Sequence, residues 1–487
     1  MDIKYDVIVI GAGPGGSSAA ALLAKEGKKV LLVDKNKSAG GRMMGIHDSQ
    51  GFNYEMFPIH GLPYNNSKFE HVLKRINKED AVTRVHMKNF GLNSVFYFED
   101  LDGEVTKWEL TGGFDESFLK AIHVPLEDKE GIAKIYKFMQ DLATMPEDEI
   151  KKLERTPSTD YIDNYGEFPG MFRTFALGCF CEGTLEMTCD MVPASEMVRL
   201  FQQQSKDGAC RYYEYGVNRV FEVFADAVEE FGGTVIYESR VKSVDVEDGT
   251  VQGITLENGE KYIAPIVIST AGIRQTVLKL VGEDKFDVDY AERIKGLVSG
   301  LACVGYRYFL DAPVLTSPQI IYYPEGCLET YEEFKETAAG KRKPEKNYIY
   351  FGTTSLYPNC APEGKQLAYA VMSCYADPSM DVQPYLDYIE SKIRIIQPDL
   401  FDHIERREVM TPAQTVALGT DAVNEHLGGE AYGVANSIGQ TGEDRPSAVS
   451  PIRGLYYAGN DAGGFGEGTH QAVDSGVNIA DFIISQK

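Results

Sequence analysis

The length and charge of the chain limit what it can be. Its 487 residues exceed the roughly 250–300 at which a single hydrophobic core usually stops growing, so we expect at least two domains. The 73 acidic and 48 basic side chains leave a net charge of −25, which repels nucleic-acid phosphates and anionic lipid surfaces. We therefore expect no nucleic-acid partner.

The cysteines and the apolar runs exclude further classes. With no secretion signal, the eight cysteines are expected to be reduced thiols. Cys179, Cys181 and Cys189 match no common zinc or iron–sulfur spacing, so we predict no metal site. The first strand begins at Tyr5 with no leader ahead of it, and no apolar run approaches the roughly 20 residues of a membrane span. We expect a cytoplasmic protein, with peripheral membrane contact left open.

The start of the chain predicts a strand, a helix and a second strand. YDVIVI is a short β-branched strand, an alanine-rich helix begins near Ser17 and ends at Gly27, and VLLVD follows. Such a βαβ unit belongs to a parallel sheet with helices on its faces.

A glycine motif lies between that strand and helix. Gly11, Gly13 and Gly16 form G-x-G-x-x-G, which brings the backbone and a helix N-terminus close to a pyrophosphate. Asp34 ends the second strand and is placed to accept hydrogen bonds from a ribose diol. The unit predicts a dinucleotide site. Further contacts are expected from Pro14, Gly15 and Lys35.

A second glycine pair bears on whether the dinucleotide is FAD or NAD. Gly40 and Gly41 let the chain pass close to a cofactor. Arg42 can pair with its phosphate in a bidentate way.

The middle of the chain predicts a helix followed by an antiparallel meander. RVFEVFADAVEEFGG carries apolar residues on one helical face and stops at glycine. TVIY, RVKSVDV, VQGITL and KYIA follow as strands, with Asp-Gly and Asn-Gly turns between them, and PIVIST predicts a buried strand. Residues 66–213 differ, because amphipathic segments alternate there with aromatic runs. In residues 290–440, LACVGYRYFL, NYIYFG and QLAYAVMSCY predict strands and PYLDYIESKIRII predicts a helix.

These motifs resemble the flavoprotein superfamily of monoamine oxidases, phytoene desaturases, carotenoid isomerases and retinol saturases. In DKNKSAGGR, Asp34 matches the superfamily's ribose acid and Arg42 its phosphate arginine. Val241 stands where family members place a valine against the adenine side of FAD. The resemblance therefore implies FAD as the cofactor.

The segment GLYYAGNDAGGFGEGTHQAVDSGVNIAD is similar to the superfamily's closing flavin motif. The resemblance implies that a final helix begins near Gly468 and directs its N–H groups at the flavin pyrimidine ring, where a positive helix end stabilises the anionic reduced flavin. Asp461 is expected to face the ribityl chain. Gly459 and Thr469 complete the expected flavin contacts.

The resemblance also implies the fold class. We expect an α/β protein in which a Rossmann-like FAD-binding domain, with a parallel sheet and an antiparallel meander, is interleaved in sequence with an α+β substrate domain. The FAD-binding domain takes residues 1–65, 214–289 and 441–487. The substrate-binding domain takes residues 66–213 and 290–440.

The likeness is closest to the desaturase and saturase branch. It implies hydride transfer at flavin N5 during desaturation, saturation or isomerisation of a hydrophobic substrate such as a polyene or isoprenoid. GFNYEMFPIHG follows the branch's pattern except at Phe57, which replaces a glycine and crowds the expected flavin edge. His60 and His470 are candidate proton donors or acceptors, although an isolated histidine is more often structural.

Several alternatives stay open at this point. An amine oxidase needs an aromatic cage, and GFGEGTHQ offers no tyrosine beside the final helix. A non-catalytic flavin-binding subunit is a third hypothesis. The aromatic residues of segment 165–180 suit a substrate pocket and a plain core equally. No second G-x-G-x-x-G is visible, so NAD(P)H, a quinone or a redox protein is left open as electron partner.

Overall fold

The computed structural model describes residues 3–57, 67–207, 211–327 and 330–486. The strands in chain order are β1 (Ile3–Lys4), β2 (Val7–Ile10), β3 (Val30–Val33), β4 (Gly45–His47), β5 (Asn53–Glu55), β6 (Arg84–His86), β7 (Val95–Glu99), β8 (Val105–Glu109), β9 (Arg211–Tyr213), β10 (Thr234–Ile236), β11 (Val241–Glu247), β12 (Thr250–Leu256), β13 (Lys261–Ile263), β14 (Val267–Ser269), β15 (Ala302–Leu310), β16 (Ile320–Pro324), β17 (Ile349–Gly352), β18 (Gln366–Cys374), β19 (Ile404–Met410) and β20 (Leu455–Tyr457).

The α-helices in chain order are α1 (Pro14–Lys25), α2 (Lys68–Arg75), α3 (Glu116–Ala121), α4 (Lys129–Thr144), α5 (Glu147–Lys151), α6 (Ser158–Asp163), α7 (Phe172–Leu177), α8 (Gly183–Leu185), α9 (Ala194–Asp207), α10 (Asn218–Glu230), α11 (Ile273–Gln275), α12 (Val288–Lys295), α13 (Tyr331–Ala338), α14 (Gln383–Ile396), α15 (Pro412–Leu418) and α16 (Gly468–Ser485). No helix among the described residues is long and apolar enough to cross a bilayer.

A parallel five-stranded sheet carries the glycine motif. Its strand order is β10-β3-β2-β14-β20, and the aliphatic residues of β2, β3 and β14 are buried, as expected for a sheet covered on both faces. Helices α1 and α16 pack closely because glycine leaves room between them. A Cβ added at Gly15 would lie 2.8 Å from the carbonyl oxygen of Ala472.

The predicted meander is present beside this sheet. Strands β11, β12 and β13 run antiparallel, and β1 joins β13 in parallel. Asp248 and Gly249 both have positive φ, which is the backbone of the expected tight turn between β11 and β12.

A seven-stranded sheet forms the second half of the molecule. Its order is β19-β15-β18-β17-β16-β7-β8, and its pairs are antiparallel except β16 with β7. Helix α14 covers one face through Tyr385, Ile389 and Ile393. Aromatic residues crowd a core that includes β7 and β8, where the rings of Phe118 and Phe175 lie 4.8 Å apart. Segment 165–180 therefore supplies core aromatics.

The mixed architecture confirms the predicted fold class, with three local differences. Helix α1 begins at Pro14 rather than near Ser17, because proline needs no N–H donor in a first helical turn. Strands β1, β4 to β9, β16 and β19 were not predicted. Helix α2, within the predicted substrate segments, packs through Phe69 and Val72 into the core around α1. The division into two domains stays a prediction.

Candidate functional site

An open cleft lies at the carboxyl ends of β2, β3, β14 and β20. It encloses about 1460 Å³ including its open mouth. Ligands of open α/β sheets bind at this end of the strands. Of the predicted contacts, those that line it are Gly11, Gly13, Pro14, Gly15, Asp34, Lys35, Gly41, Arg42, Val241, Gly459, Asp461 and Thr469.

The first glycine turn leads from β2 to the N-terminus of α1. Gly11 has φ +95°, and a Cβ at Gly16 would collide with the carbonyl oxygen of Gly11, so Gly16 serves close packing of the turn and does not line the cleft. Gly13 caps α1 without a side-chain hydrogen bond. The N-terminal amides of α1 are therefore left for an anionic group.

Asp34 follows β3 at one end of the cleft. Its Oδ2 accepts a hydrogen bond from the Ala12 amide and its Oδ1 one from the Asn36 amide, both at 2.7 Å. Burial raises the pKa of Asp34, while these hydrogen bonds and the charges of Lys35 and Arg240 act in the opposite direction. The carboxyl group is thus fixed in orientation at the cleft edge, beside Val241.

A segment from the C-terminal part of the chain lines this end of the cleft. We call residues 416–422 the cleft strap. Asp421 pairs with Lys35 Nζ and with Arg240 Nη1, each at 2.5 Å. Although burial raises it, the two cations hold the pKa of Asp421 below its ordinary value. Asn36 donates to the carbonyl of Leu418 at 2.8 Å, which adds a neutral tie.

Gly40 and Gly41 lie against the first glycine turn. Gly40, with φ +119°, donates to the carbonyl of Ala12 at 2.9 Å, and a Cβ on Gly41 would lie 3.1 Å from the Gly13 Cα. Gly40 itself does not line the cleft. Arg42 does, and it donates to the Glu430 carbonyl at 2.9 Å. Burial lowers the pKa of Arg42, and Asp461 and Glu430 oppose that shift.

A buried ion pair stands in the cleft wall. Arg274 and Glu430 are each only 3% exposed, and their charged groups lie 2.8 Å apart. Ser299 Oγ donates to the same Glu430 oxygen at 2.6 Å, and Arg274 also donates to the Leu297 carbonyl. The pair therefore joins α11 to the segments at 297–299 and 430.

Asp461 holds two backbone segments around the cleft. Its Oδ2 accepts from the Ile273 amide at 2.8 Å, and its Oδ1 accepts from the Val434 amide at 2.9 Å. A Cβ at Gly433 would collide with that Oδ1. Asp461 lines the cleft, and its two hydrogen bonds position the backbone at Ile273 and Val434. Its contact with the ribityl chain stays a prediction.

Helix α16 begins at Gly468, as predicted. Gly468 has φ +45°, and a Cβ there would lie 2.6 Å from the ring of Tyr432. Gly468 does not line the cleft, but Thr469 and Tyr432 do. A tyrosine thus lies beside the final helix although the sequence around that helix contains none, because Tyr432 reaches it from another segment.

Of the two candidate histidines, only His470 lies among the described residues. His60 lies outside the described residues. His470 does not line the cleft, and its ring stacks on Phe69 with centroids 5.0 Å apart. Burial lowers the pKa of His470 to about 3, so its ring is neutral near pH 7. Phe57 lines the cleft, and its closeness to the flavin edge stays a prediction.

A match to a family model decides the affiliation of the chain. The model described as "Flavin containing amine oxidoreductase" matches residues 15–484. The chain belongs to this family. The predicted cofactor, FAD, is confirmed with it.

Curated relatives of the chain include phytoene desaturases. A phytoene desaturase of Phycomyces blakesleeanus is 25% identical over 74% of the chain and 63% of the relative, and one of Cercospora nicotianae is matched over 59% of its length. The chain thus spans about three fifths of these two relatives. A 4,4'-diapophytoene desaturase of Methylomonas sp is 21% identical over 99% of the chain and 95% of the relative.

Solved structures share the fold. An oxidoreductase from Methanosarcina mazei has a TM-score of 0.67 at 17% identity, covering 98% of this chain and 100% of that one. A putrescine oxidase bound to putrescine has a TM-score of 0.69 at 12% identity, with full coverage of both chains. At these identities the likeness shows the fold alone.

The described residues fit a flavin dinucleotide. The turn at Gly11–Gly15 has no bulky side chain that would prevent the close approach of a ligand. No side chain caps the amides of α1, and Arg42 supplies a cation in the same cleft. Residues missed by sequence reasoning are Asp421, Arg274, Glu430 and Tyr432. They come from segments remote in sequence, so no local pattern could indicate them.

Proposed function

We propose that this chain is an FAD-dependent oxidoreductase that acts on carbon–carbon bonds of a hydrophobic, isoprenoid-type substrate. The supporting observation is similarity over nearly the whole chain to the Methylomonas diapophytoene desaturase, and to a 4,4'-diaponeurosporene oxygenase of Staphylococcus aureus that is 24% identical over 98% of the chain. Desaturation, saturation and isomerisation share the same site chemistry, and all three remain within the proposal.

We assign the two ends of the cleft to the two ends of FAD. Asp34, Lys35 and Val241 would hold the adenosine end, and the amides of α1 with Arg42 would hold the pyrophosphate. Asp461 and Thr469 would hold the flavin end. Bound there, FAD supplies a two-electron acceptor or donor for a substrate C–H bond.

The residues of the chain would position the reacting groups and exclude water from them. Tyr432 and Phe57 line the cleft, and beside the flavin end they would exclude water from the substrate. The uncapped N-terminus of α16 would favour negative charge on the cofactor. Gly468 permits this arrangement, because any side chain there would displace Tyr432.

A second candidate function is amine oxidation. The observation that favours it is Tyr432, since a tyrosine beside the final helix is a feature that amine oxidases need for their aromatic cage and that the local sequence lacks. The substrate of this alternative is an uncharged amine facing that ring.

One spectroscopic experiment separates these functions. The FAD-loaded protein is kept without oxygen, and its visible flavin band is followed during addition of phytoene dispersed in detergent, of NADPH, or of putrescine. Bleaching by phytoene supports a desaturase, and bleaching by NADPH supports a reductase of double bonds. Bleaching by putrescine alone would replace the proposal with amine oxidation. A flavin that none of the three bleaches would contradict oxidoreductase action and leave isomerisation, tested by the geometry of the recovered polyene.

A further inference from the structure

A histidine and two carboxylates lie together beside β8, the edge strand of the seven-stranded sheet. Asp100 and Glu104 flank the turn between β7 and β8, and His123 follows α3. Each residue offers one oxygen or nitrogen atom, and these three atoms lie within 4.8 Å of one another. Within the described parts of the chain, this is the single group of three or more such residues that could hold a metal ion. We call it the hairpin triad.

The turn holds Asp100 in a fixed orientation. Its Oδ1 accepts hydrogen bonds from the amides of Asp102 and Glu104, at 3.0 and 2.8 Å. Its Oδ2 faces His123, whose Nδ1 lies 3.6 Å away. No lysine or arginine of the described ranges forms an ion pair with Asp100 or Glu104. Two carboxylates therefore meet one imidazole, and the triad carries an excess of negative charge.

The second ring nitrogen of His123 determines which nitrogen carries the hydrogen. Its Nε2 lies 3.4 Å from Thr106 Oγ1, and Thr106 donates its hydroxyl hydrogen to the Ala121 carbonyl at 2.5 Å. Thr106 can therefore only accept from the ring, which favours the neutral tautomer with its hydrogen on Nε2. Nδ1 then presents a lone pair to the Asp100 carboxylate. Metal-ligating histidines are oriented in this way, by a hydrogen bond from the nitrogen that does not bind the metal.

The distance between His123 Nδ1 and Asp100 Oδ2 fits two ligands of one ion better than a direct hydrogen bond. A charge-assisted N–H···O bond is roughly 2.7–2.9 Å long, and 3.6 Å exceeds the range of such bonds. Two ligands held at roughly 2.0–2.1 Å on a tetrahedral zinc ion lie about 3.4 Å apart. Glu104 is exposed, so its side chain can turn to supply a third ligand.

We propose that Asp100, Glu104 and His123 bind a Zn²⁺ ion, with water in the remaining coordination position. Oxygen ligands alone suit Ca²⁺ and Mg²⁺, whereas an imidazole with an available lone pair favours a transition metal. The ion fastens the turn between β7 and β8 to the segment that follows α3. Cysteine spacing predicted no metal site, but the hairpin triad contains no cysteine. The inference goes beyond the proposed carbon–carbon chemistry and does not depend on it.

Isothermal titration calorimetry of the FAD-loaded protein with zinc chloride tests the site. The wild type should bind one equivalent of Zn²⁺ at the triad. H123N and E104Q each remove one ligand, and the dissociation constant of this equivalent should rise more than about 100-fold, beyond the effect of losing an outer hydrogen bond. Asparagine suits position 123, because His123 has φ 59° and asparagine adopts this conformation readily. Since Glu104 is exposed, E104Q should keep the fold even if H123N does not.

Two matched controls separate coordination from the general attraction of a cation to an acidic surface. D102N makes the same change of charge in the same turn, at an exposed residue outside the triad. H426N replaces a histidine that has Asp377 beside one ring nitrogen and Glu425 beside the other, so the two acids do not converge on one nitrogen. Both variants should bind Zn²⁺ at the triad as the wild type does.

A second reading uses stability, because an ion that binds the folded protein alone raises its resistance to urea. Zn²⁺ should raise the urea midpoint of the wild type, D102N and H426N, but not that of H123N or E104Q. Ca²⁺ at the same concentration should not displace the Zn²⁺. The inference is overturned if the wild type binds no such equivalent, if H123N and E104Q keep the wild-type affinity, if D102N loses as much affinity as E104Q, or if Ca²⁺ displaces the Zn²⁺.

Discussion

At the scale of single residues, the buried ion pair of Arg274 and Glu430 in the cleft wall is expected to matter most for stability. Both groups are out of water, and each has additional hydrogen bonds that fix it. Removing one partner of such a pair leaves an uncompensated buried charge. We expect E430Q to lower the free energy of unfolding of the FAD-free protein by about 3–5 kcal/mol, measured by urea denaturation.

The control for this variant is an exposed pair. Glu116 and Lys120 lie four residues apart on α3, both more than 60% exposed, so water screens their attraction. E116Q should therefore leave the free energy of unfolding almost unchanged. A loss in E430Q no larger than in E116Q would mean that the buried pair is replaceable.

His470 gives the protein a defined sensitivity to acid. The pKa of His470 in the folded protein is about 3, against an ordinary value of 6.5. Below pH 6.5, His470 therefore binds a proton in the unfolded chain but not in the folded chain. Stability is thus complete above about 6.5 and falls as the pH falls toward 3. At roughly pH 4.5 this residue should cost about 2–3 kcal/mol.

The variant H470Q removes that titration. Between about pH 7.5 and 4.5, the wild type should lose about 2–3 kcal/mol more unfolding free energy than H470Q, as measured by urea midpoints. Parallel losses in both proteins would show that His470 is protonated in the folded state, which would restore it as a proton donor.

At the scale of elements, the cleft strap controls access to one end of the cofactor site. Asp421 holds it to β3 and β11 through Lys35 and Arg240, and these groups are 17–46% exposed, so each pair contributes at most about 1 kcal/mol. Both are lost in D421N. We expect its dissociation constant for FAD to rise about tenfold, measured by the recovery of flavin fluorescence on release.

Glu257 offers a matched control for the strap. It approaches the same arginine, at 3.8 Å, but is 62% exposed and lies outside the strap. E257Q should bind FAD as the wild type does. Equal affinity of D421N and the wild type would show that the neutral tie from Asn36 suffices to hold the strap.

Elements encoded by local patterns were predicted from the sequence, and elements that depend on distant partners were not. Alternation and glycine stops indicated β2, α1, β3, α10 and the meander, because each rests on its own hydrophobic face. Strand β16 pairs in parallel with β7 across some 225 residues, which no local pattern records. Tyr432 and Asp421 reach the cleft in the same way, from segments whose own sequence carries no motif.

At the scale of the whole molecule, the net charge of −25 sets how the protein meets a lipid surface. A hydrophobic substrate resides in bilayers, yet anionic lipids repel this chain over roughly 30 Å at 0.01 M salt and only about 3 Å at 1 M. In flotation assays at low salt, less protein should accompany anionic vesicles than neutral ones. The difference should vanish near 1 M salt. More protein on the anionic vesicles would reveal a local cationic surface that outweighs the total.

The packing of α1 against α16 also determines when the cofactor site can form during synthesis of the chain. The glycine turn at Gly11 and the helix that contains Ala472 meet in the folded protein, with Gly15 and Gly476 in close contact across the helices. A ribosome adding 5–20 residues per second needs roughly 20–90 s to pass from the first to the second. During that interval the first half of the cofactor site, at Gly11–Arg42, has no contact with the second half, at Gly459–Thr469. We therefore expect the complete flavin site to form only after α16 has been synthesised.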